Sequence, residues 1–129
     1  MLKYITENEY LELLDADSIP DNFNQLVIEA SSYINQQTLG RINLKDIPNE
    51  VKYITCLIVN LIQEEKEKLN EVNNLKSQNI EGWSETYQTP EEIKVNYSKQ
   101  KYSILEQYLW NVIGTDNMPL LYKGVCLIG

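Results

Sequence analysis

Val51, Ile54, Leu57, Ile58, Leu61 and Ile62 follow one another at steps of three and four residues. That spacing matches the turn of an α-helix and gathers the six apolar side chains on one broad face. A face so wide has to be covered. It therefore predicts a helix at the centre of a core, with other helices laid against it. Pro48 would open it from the first helical position, where proline's missing N–H does no harm. After Gln63 the chain turns to Glu64-Glu65-Lys66-Glu67-Lys68, so the helix is expected to run past the core and fray near Asn73-Asn74.

The flanking segments carry their own signals. Thr6 with Glu9 three residues on is a capping box, the start of a short first helix with Tyr10, Leu13 and Leu14 on its apolar side. The run from Asp15 to Pro20 stops it, because the residue before a proline avoids helical backbone. Asp21 is the expected N-cap of a second helix reaching Thr38, with Phe23, Leu26, Val27, Ala30, Tyr33 and Ile34 as its stripe. Gly40 is expected to supply the left-handed residue that ends it. Thr89-Pro90-Glu91-Glu92 is a second capping box. It opens a helix to about Asn111 with Ile93, Tyr97, Ile104, Leu105, Tyr108 and Val112 inward and Gln100 and Lys101 as a polar gap. Residues 79–88, with Trp83, Thr86 and Tyr87 around Gly82, favour a short β or extended arm. Residues 112–129 read as an extended C-terminal tail. The expected fold is mainly α, a single domain over 1–129, built as a four-to-five-helix bundle with that arm and that tail.

Composition narrows the function. The 129 residues hold 11 Lys and Arg against 19 Asp and Glu, a net charge of −8, and Arg41 is the sole arginine. A chain that grips nucleic acid replaces phosphate counterions with clustered cations. None cluster here, so sequence-specific or direct DNA binding is not expected. A negative wall past which DNA slides is compatible with the charge. No apolar run has the ~20 residues of a membrane span, and the opening Met-Leu-Lys-Tyr-Ile-Thr-Glu lacks a signal peptide's apolar stretch. No membrane association is expected.

Histidine is absent, which removes the commonest general base and metal ligand. Cys56 and Cys126 alone cannot build a structural zinc site. Cys56 lies inside an apolar helical run, where a thiol acts as a small hydrophobe, and a disulfide is disfavoured in a cytosol. The acid pairs Glu64–Glu65 and Glu91–Glu92 point about 100° apart on a helix and read as solvated faces. Asp15, Asp17 and Asp21 lack the calcium-loop pattern. No serine has an activating partner in sight, and phosphate-binding glycine loops are missing. Neither an enzyme nor a cofactor is expected.

Nine tyrosines against one phenylalanine give large apolar side chains with polar tips, suited to surfaces that are wet before assembly. Tyr33, Tyr97 and Tyr108 fit a helical core; Tyr87, Tyr102 and Tyr122 fall off the stripes. The segment Leu120-Leu121-Tyr122-Lys123-Gly124-Val125 would expose apolar surface if left loose. It must dock on its own core or on a neighbour, and the residues alone leave both open. With Trp83 and Tyr87, the residues Leu120, Leu121, Tyr122, Lys123 and Val125 are the expected interface side chains. Deleting 120–129 is then expected to spare helical content and weaken assembly.

In their order these segments resemble the small head–tail connector, or adaptor, proteins of tailed bacteriophages, also described as DNA-packaging proteins. Tyr4-Ile5-Thr6-Glu7-Asn8-Glu9-Tyr10 resembles their first short helix. Phe23 to Ile34, with Glu29-Ala30-Ser31 and then Thr38-Leu39-Gly40-Arg41-Ile42, resembles the second helix and its exit. Pro48-Asn49-Glu50-Val51-Lys52 resembles the start of the third, and Leu120 to Val125 resembles their Leu-Leu-Tyr-Arg-Gly-Val ending. The chain departs from them at Glu81-Gly82-Trp83-Ser84, where a Gly-Asp-Tyr-Ser-like run is expected, and over 110–119. The resemblance implies a virion protein of the neck, made in the bacterial host cytoplasm. It would form a homo-oligomeric ring, a dodecamer in the virion, beneath the portal protein. The ring would extend the channel through which DNA passes and would dock a downstream head-completion, stopper or tail protein. Twelve copies of −8 give about −96, a strongly repulsive field if it lined the channel. A closed ring also demands two different patches per subunit. The alternative is a small acidic helical regulator that mimics DNA, which would need its carboxylates spaced along one face.

Overall fold

A computed structural model describes residues 2–77, 89–110, 112, 120 and 121, the side chains of 73–77 excepted. Among the described residues it holds four helices and no strand: α1 over Glu7–Leu14, α2 over Phe23–Gln37, α3 over Asn49–Ser77 and α4 over Pro90–Leu109. The chain is a helical bundle, as its periodicities predict. The expected arm at 79–88, with Trp83 and Tyr87, lies outside the described residues, as do Tyr122, Lys123, Val125 and Cys126.

Both capping boxes form as spelled. Thr6 Oγ1 accepts from the Glu9 N–H at 3.2 Å and Glu9 Oε1 accepts from the Thr6 N–H at 2.9 Å. Thr89 and Glu92 repeat the exchange at 3.2 and 3.0 Å, with Pro90 opening the first turn. Each box satisfies two backbone donors that a helix start would otherwise leave orphaned.

The start of α2, the start of α3 and the end of α2 each differ from the sequence reading. The N-cap of α2 is Asn22 rather than Asp21; its backbone is left-handed at φ 60° and its side chain makes no capping bond. Pro48 precedes α3, its carbonyl accepting the first helical hydrogen bond from Lys52 at 3.2 Å. At the end of α2 the left-handed turn begins one residue early. Leu39 has φ 56° and Gly40 φ 70°. The Leu39 N–H reaches Gln36 O at 3.3 Å and the Gly40 N–H reaches Asn35 O at 3.0 Å, the paired bonds of a Schellman turn. At the end of α1 Asp15, at φ 52°, and Ala16 make the same pair of bonds, to Glu12 O and Leu11 O.

α1, α2 and α4 each pack on α3. The predicted stripe is inside: Val51, Ile54, Ile58 and Ile62 are buried. Thr55, Cys56 and Val59 are buried as well, though they lie off that face. A helix packed against three others keeps little solvent face, so a single stripe understates what it hides. Thr55 is tolerated there because its hydroxyl donates back to Val51 O at 2.6 Å. Leu57 and Leu61 are only half-buried.

α3 does not fray at Asn73-Asn74; it continues to Ser77. α4 runs antiparallel beside it and supplies the cover. Tyr53 and Tyr108 meet edge to face at 5.4 Å near one end. Farther along, the Tyr97 hydroxyl donates to Glu64 Oε2 at 3.2 Å. Beyond that, Val72, Ile93 and Tyr97 form a second small core with Leu61 and Leu69. The polar gap at Lys101 is occupied: its ammonium lies 5.4 Å from the Tyr33 ring centroid and 3.5 Å from Glu65, so it ties α4 to α2 and α3 together.

The residues ahead of α1 also enter the core. Tyr4 and Ile5 are buried, and the Tyr4 N–H donates to the buried Ser31 Oγ at 3.0 Å. Helical periodicity could not flag them, since they lie outside any helix, with Tyr4 bonded to Ser31 and Asn35 of α2.

Candidate assembly interface

Arg41 leaves the end of α2 on the last carbonyls of that helix. Its Nε donates to Thr38 O at 3.1 Å, and its Nη2 donates to Leu120 O at 2.6 Å. The Leu120 N–H in turn donates to Val112 O at 2.7 Å, and the Val112 N–H donates to Leu109 O at 3.1 Å. A continuous chain of hydrogen bonds thus joins the exit of α2 to the exit of α4. The Leu120 side chain is fully buried in the main core, and Leu121 packs against that core from a half-buried position.

This corrects one expectation. Leu120 is not a side chain held out for a neighbour; its apolar surface is spent on its own bundle. Of the expected interface residues, Leu121 alone is described with surface to spare.

Around this junction the bundle exposes apolar surface that the sequence reading did not single out. Leu39 is 59% exposed, Leu44 60% and Trp110 67%. Each lies within three residues of Arg41 or Leu109. Leu13 and Val95, on α1 and α4, are the other large exposed hydrophobics among the described residues. The signal for Arg41 was available in the sequence: it is the sole arginine, and a guanidinium fork is suited to bridging two carbonyls.

Groups weighed for catalysis have structural partners. Glu64 accepts from Tyr97, Glu65 pairs with Lys101, and Glu92 closes the α4 capping box. The hydrogen bonds from Thr89 hold the exposed Glu92 carboxyl below its ordinary range. Burial pushes the Cys56 thiol up to about 12, which keeps it protonated and unreactive at neutral pH. Burial likewise pushes Tyr4 up to about 12. A cleft of about 410 Å³ lies between residues 3–6, Phe23 and Lys52. Four of the charged and polar groups that line it are engaged in pairs: Lys3 donates to Asn24 at 3.2 Å, and Lys52 meets Glu9 at 2.6 Å. Glu9 sits below the usual carboxylate range, chiefly through that bond from Lys52, with burial opposing. No group of three or more acidic or sulfur ligands converges among the described residues, and no helix among them is long and apolar enough to cross a membrane.

No protein family, curated protein or solved structure matches this chain.

Proposed function

We propose that the chain is a head–tail connector subunit of a tailed bacteriophage, a structural protein that forms a ring on the portal, prolongs the DNA channel and receives the next neck or tail protein. The observation that carries this reading is the meeting of two segments quoted above for their likeness to connectors. The α2 exit, Thr38 to Ile42, and the ending that starts at Leu120 lie far apart in sequence and are joined through Arg41 at 2.6 Å. Two short likenesses that touch in space support a shared architecture better than two that do not.

Three exposed apolar side chains around that junction add to it. An isolated subunit gains nothing by showing Leu39, Leu44 and Trp110 to water, whereas a subunit that meets a portal or another copy buries them. Tyr122, Lys123 and Val125, which follow directly, are assigned to the same contact, and Trp83 and Tyr87 to the second patch that a closed ring requires.

The test is assembly. Purified protein mixed with its phage's portal should give a ring on the portal by electron microscopy and a discrete oligomer by native mass spectrometry. A chain that binds neither portal nor itself in any buffer or stoichiometry would refute the reading.

A further inference from the structure

We infer that neighbouring copies of this chain also meet along a charged seam: the outer side of α1 around Leu13 in one copy lies against the outer side of α4 around Val95 in the next. The inference deepens the connector reading by adding a copy-to-copy contact whose two faces carry opposite charge.

Leu13 is 37% exposed and Val95 51%. A single exposed leucine or valine is ordinary on any monomer; the charges around these two give them meaning. Between Lys3 and Arg41 the sequence has seven acids and not one Lys or Arg. Two of them, Glu9 and Glu29, pair with Lys52 and Lys66 of α3 at 2.6 Å each. Glu12, Asp15 and Asp17 are exposed within four residues of Leu13 and have no ion-pair partner among the described residues. α4 reverses the sign. Its acids stand towards its ends, Glu91 and Glu92 in the first turn where the helix dipole favours them, and Glu106 near the close. Between Glu92 and Glu106 lie Lys94, Lys99 and Lys101 and no acid. Lys101 is engaged with Glu65. Lys94, beside Val95, and Lys99, one turn on, are exposed and have no ion-pair partner among the described residues.

The chain carries a net charge of −8, so two copies repel unless their contact sets opposite charges face to face. α1 against α1 would oppose acids to acids, and α4 against α4 would oppose lysines to lysines. Only α1 against α4 attracts. Leu13 and Val95 then lose their water inside a rim of paired charges, the usual anatomy of a protein contact. α1 and α4 are laid on α3 as separate elements, so one molecule offers both faces. A contact between two different faces passes on from copy to copy and closes into a ring, where a two-fold contact would stop at a dimer.

Ring formation should be measured by native mass spectrometry and electron microscopy, with and without portal. The chains compared are the parent, Glu12→Lys with Asp17→Lys, Lys94→Glu with Lys99→Glu, and a chain with all four changes. All four side chains are exposed, so melts should stay near the parent's. Each two-site reversal should raise the concentration needed for assembly about tenfold, because it sets like charges against one another. The four-site chain has the parent's net charge of −8 and should assemble within about threefold of it. An equal mixture of the two reversed chains should also recover assembly, with the two alternating around the ring; it decides the matter if the four-site chain folds poorly. Reversals that assemble like the parent overturn the inference alone, as does a loss that neither the four-site chain nor the mixture restores. A loss confined to the α1 reversal assigns that face to a different partner and overturns it as well. A parent that forms rings with these charge effects yet never binds portal refutes the connector reading and leaves the seam standing. One that binds neither portal nor itself refutes both.

Discussion

Leu39 occupies a left-handed backbone, φ 56°, while 59% of its surface faces water. A side chain with a Cβ adopts that region at a cost of roughly 1–2 kcal/mol, and exposure returns nothing for it. Leu39→Gly should therefore raise the denaturation midpoint, by about 1 kcal/mol in stability. If the variant assembles less well while folding better, the strain serves the contact surface. Glu9 is the opposite case, a residue used twice. One oxygen caps α1 and the other holds Lys52 on α3 at 2.6 Å. Its carboxyl titrates below its ordinary value when folded. A depressed acid contributes stability above the usual carboxylate range, and that contribution is lost as pH falls through the folded value. Glu9→Gln keeps a capping group but no charge. It should flatten the loss of stability between about pH 5 and about pH 3 seen in urea titrations of the parent.

At the scale of the element, α3 carries the fold and α4 decides its length. Ile58 is fully buried at the meeting of the helices. Ile58→Ala should cost about 2–5 kcal/mol, read as a shift of the urea midpoint at unchanged slope. Ile93 belongs to the smaller cluster with Val72 and Tyr97. Ile93→Ala should loosen the far end of the α3–α4 pair first. Amide exchange in 67–77 should rise while Ile54 and Ile58 stay protected; uniform loosening would show that the two cores unfold as one. The start signals of α1 and α4 were legible in the sequence because a capping box is a local bargain between two side chains and two nearby N–H groups. The persistence of α3 past Asn74 was not legible. Its polar sequence says nothing of a partner that approaches from more than twenty residues away.

For the whole molecule, the start of the tail is part of the core. Leu120 belongs to the bundle, so a deletion from 120 onward confounds folding with assembly. Leu120→Ala should by itself lower stability by about 2–5 kcal/mol, whereas Tyr122→Ser with Val125→Asp should leave thermal stability near the parent and reduce assembly. Dichroism and portal binding measured side by side separate the two. The alkaline limb of stability follows from groups held neutral by burial. Tyr4 and Cys56 both rise to about 12 when folded. A raised folded value means stability is intact below the unfolded value and is lost as pH climbs past it toward the folded one. Thermal melts should hold steady near neutrality and fall above about pH 9, where the unfolded thiol begins to ionise.

The amino-acid sequence by itself determined the helices, their capped starts and most of the central stripe, because spacing and capping are decided within a turn or two of chain. It also fixed what is scarce: histidine and clustered cations. Tertiary structure alone decided that Tyr4, Ile5, Thr55, Cys56 and Val59 lie inside, that Lys101 fills a gap between three helices, and that Arg41 holds Leu120. Each of those depends on a neighbour brought from a distant part of the chain, and a residue's surroundings in the fold are not written in its own few neighbours along it.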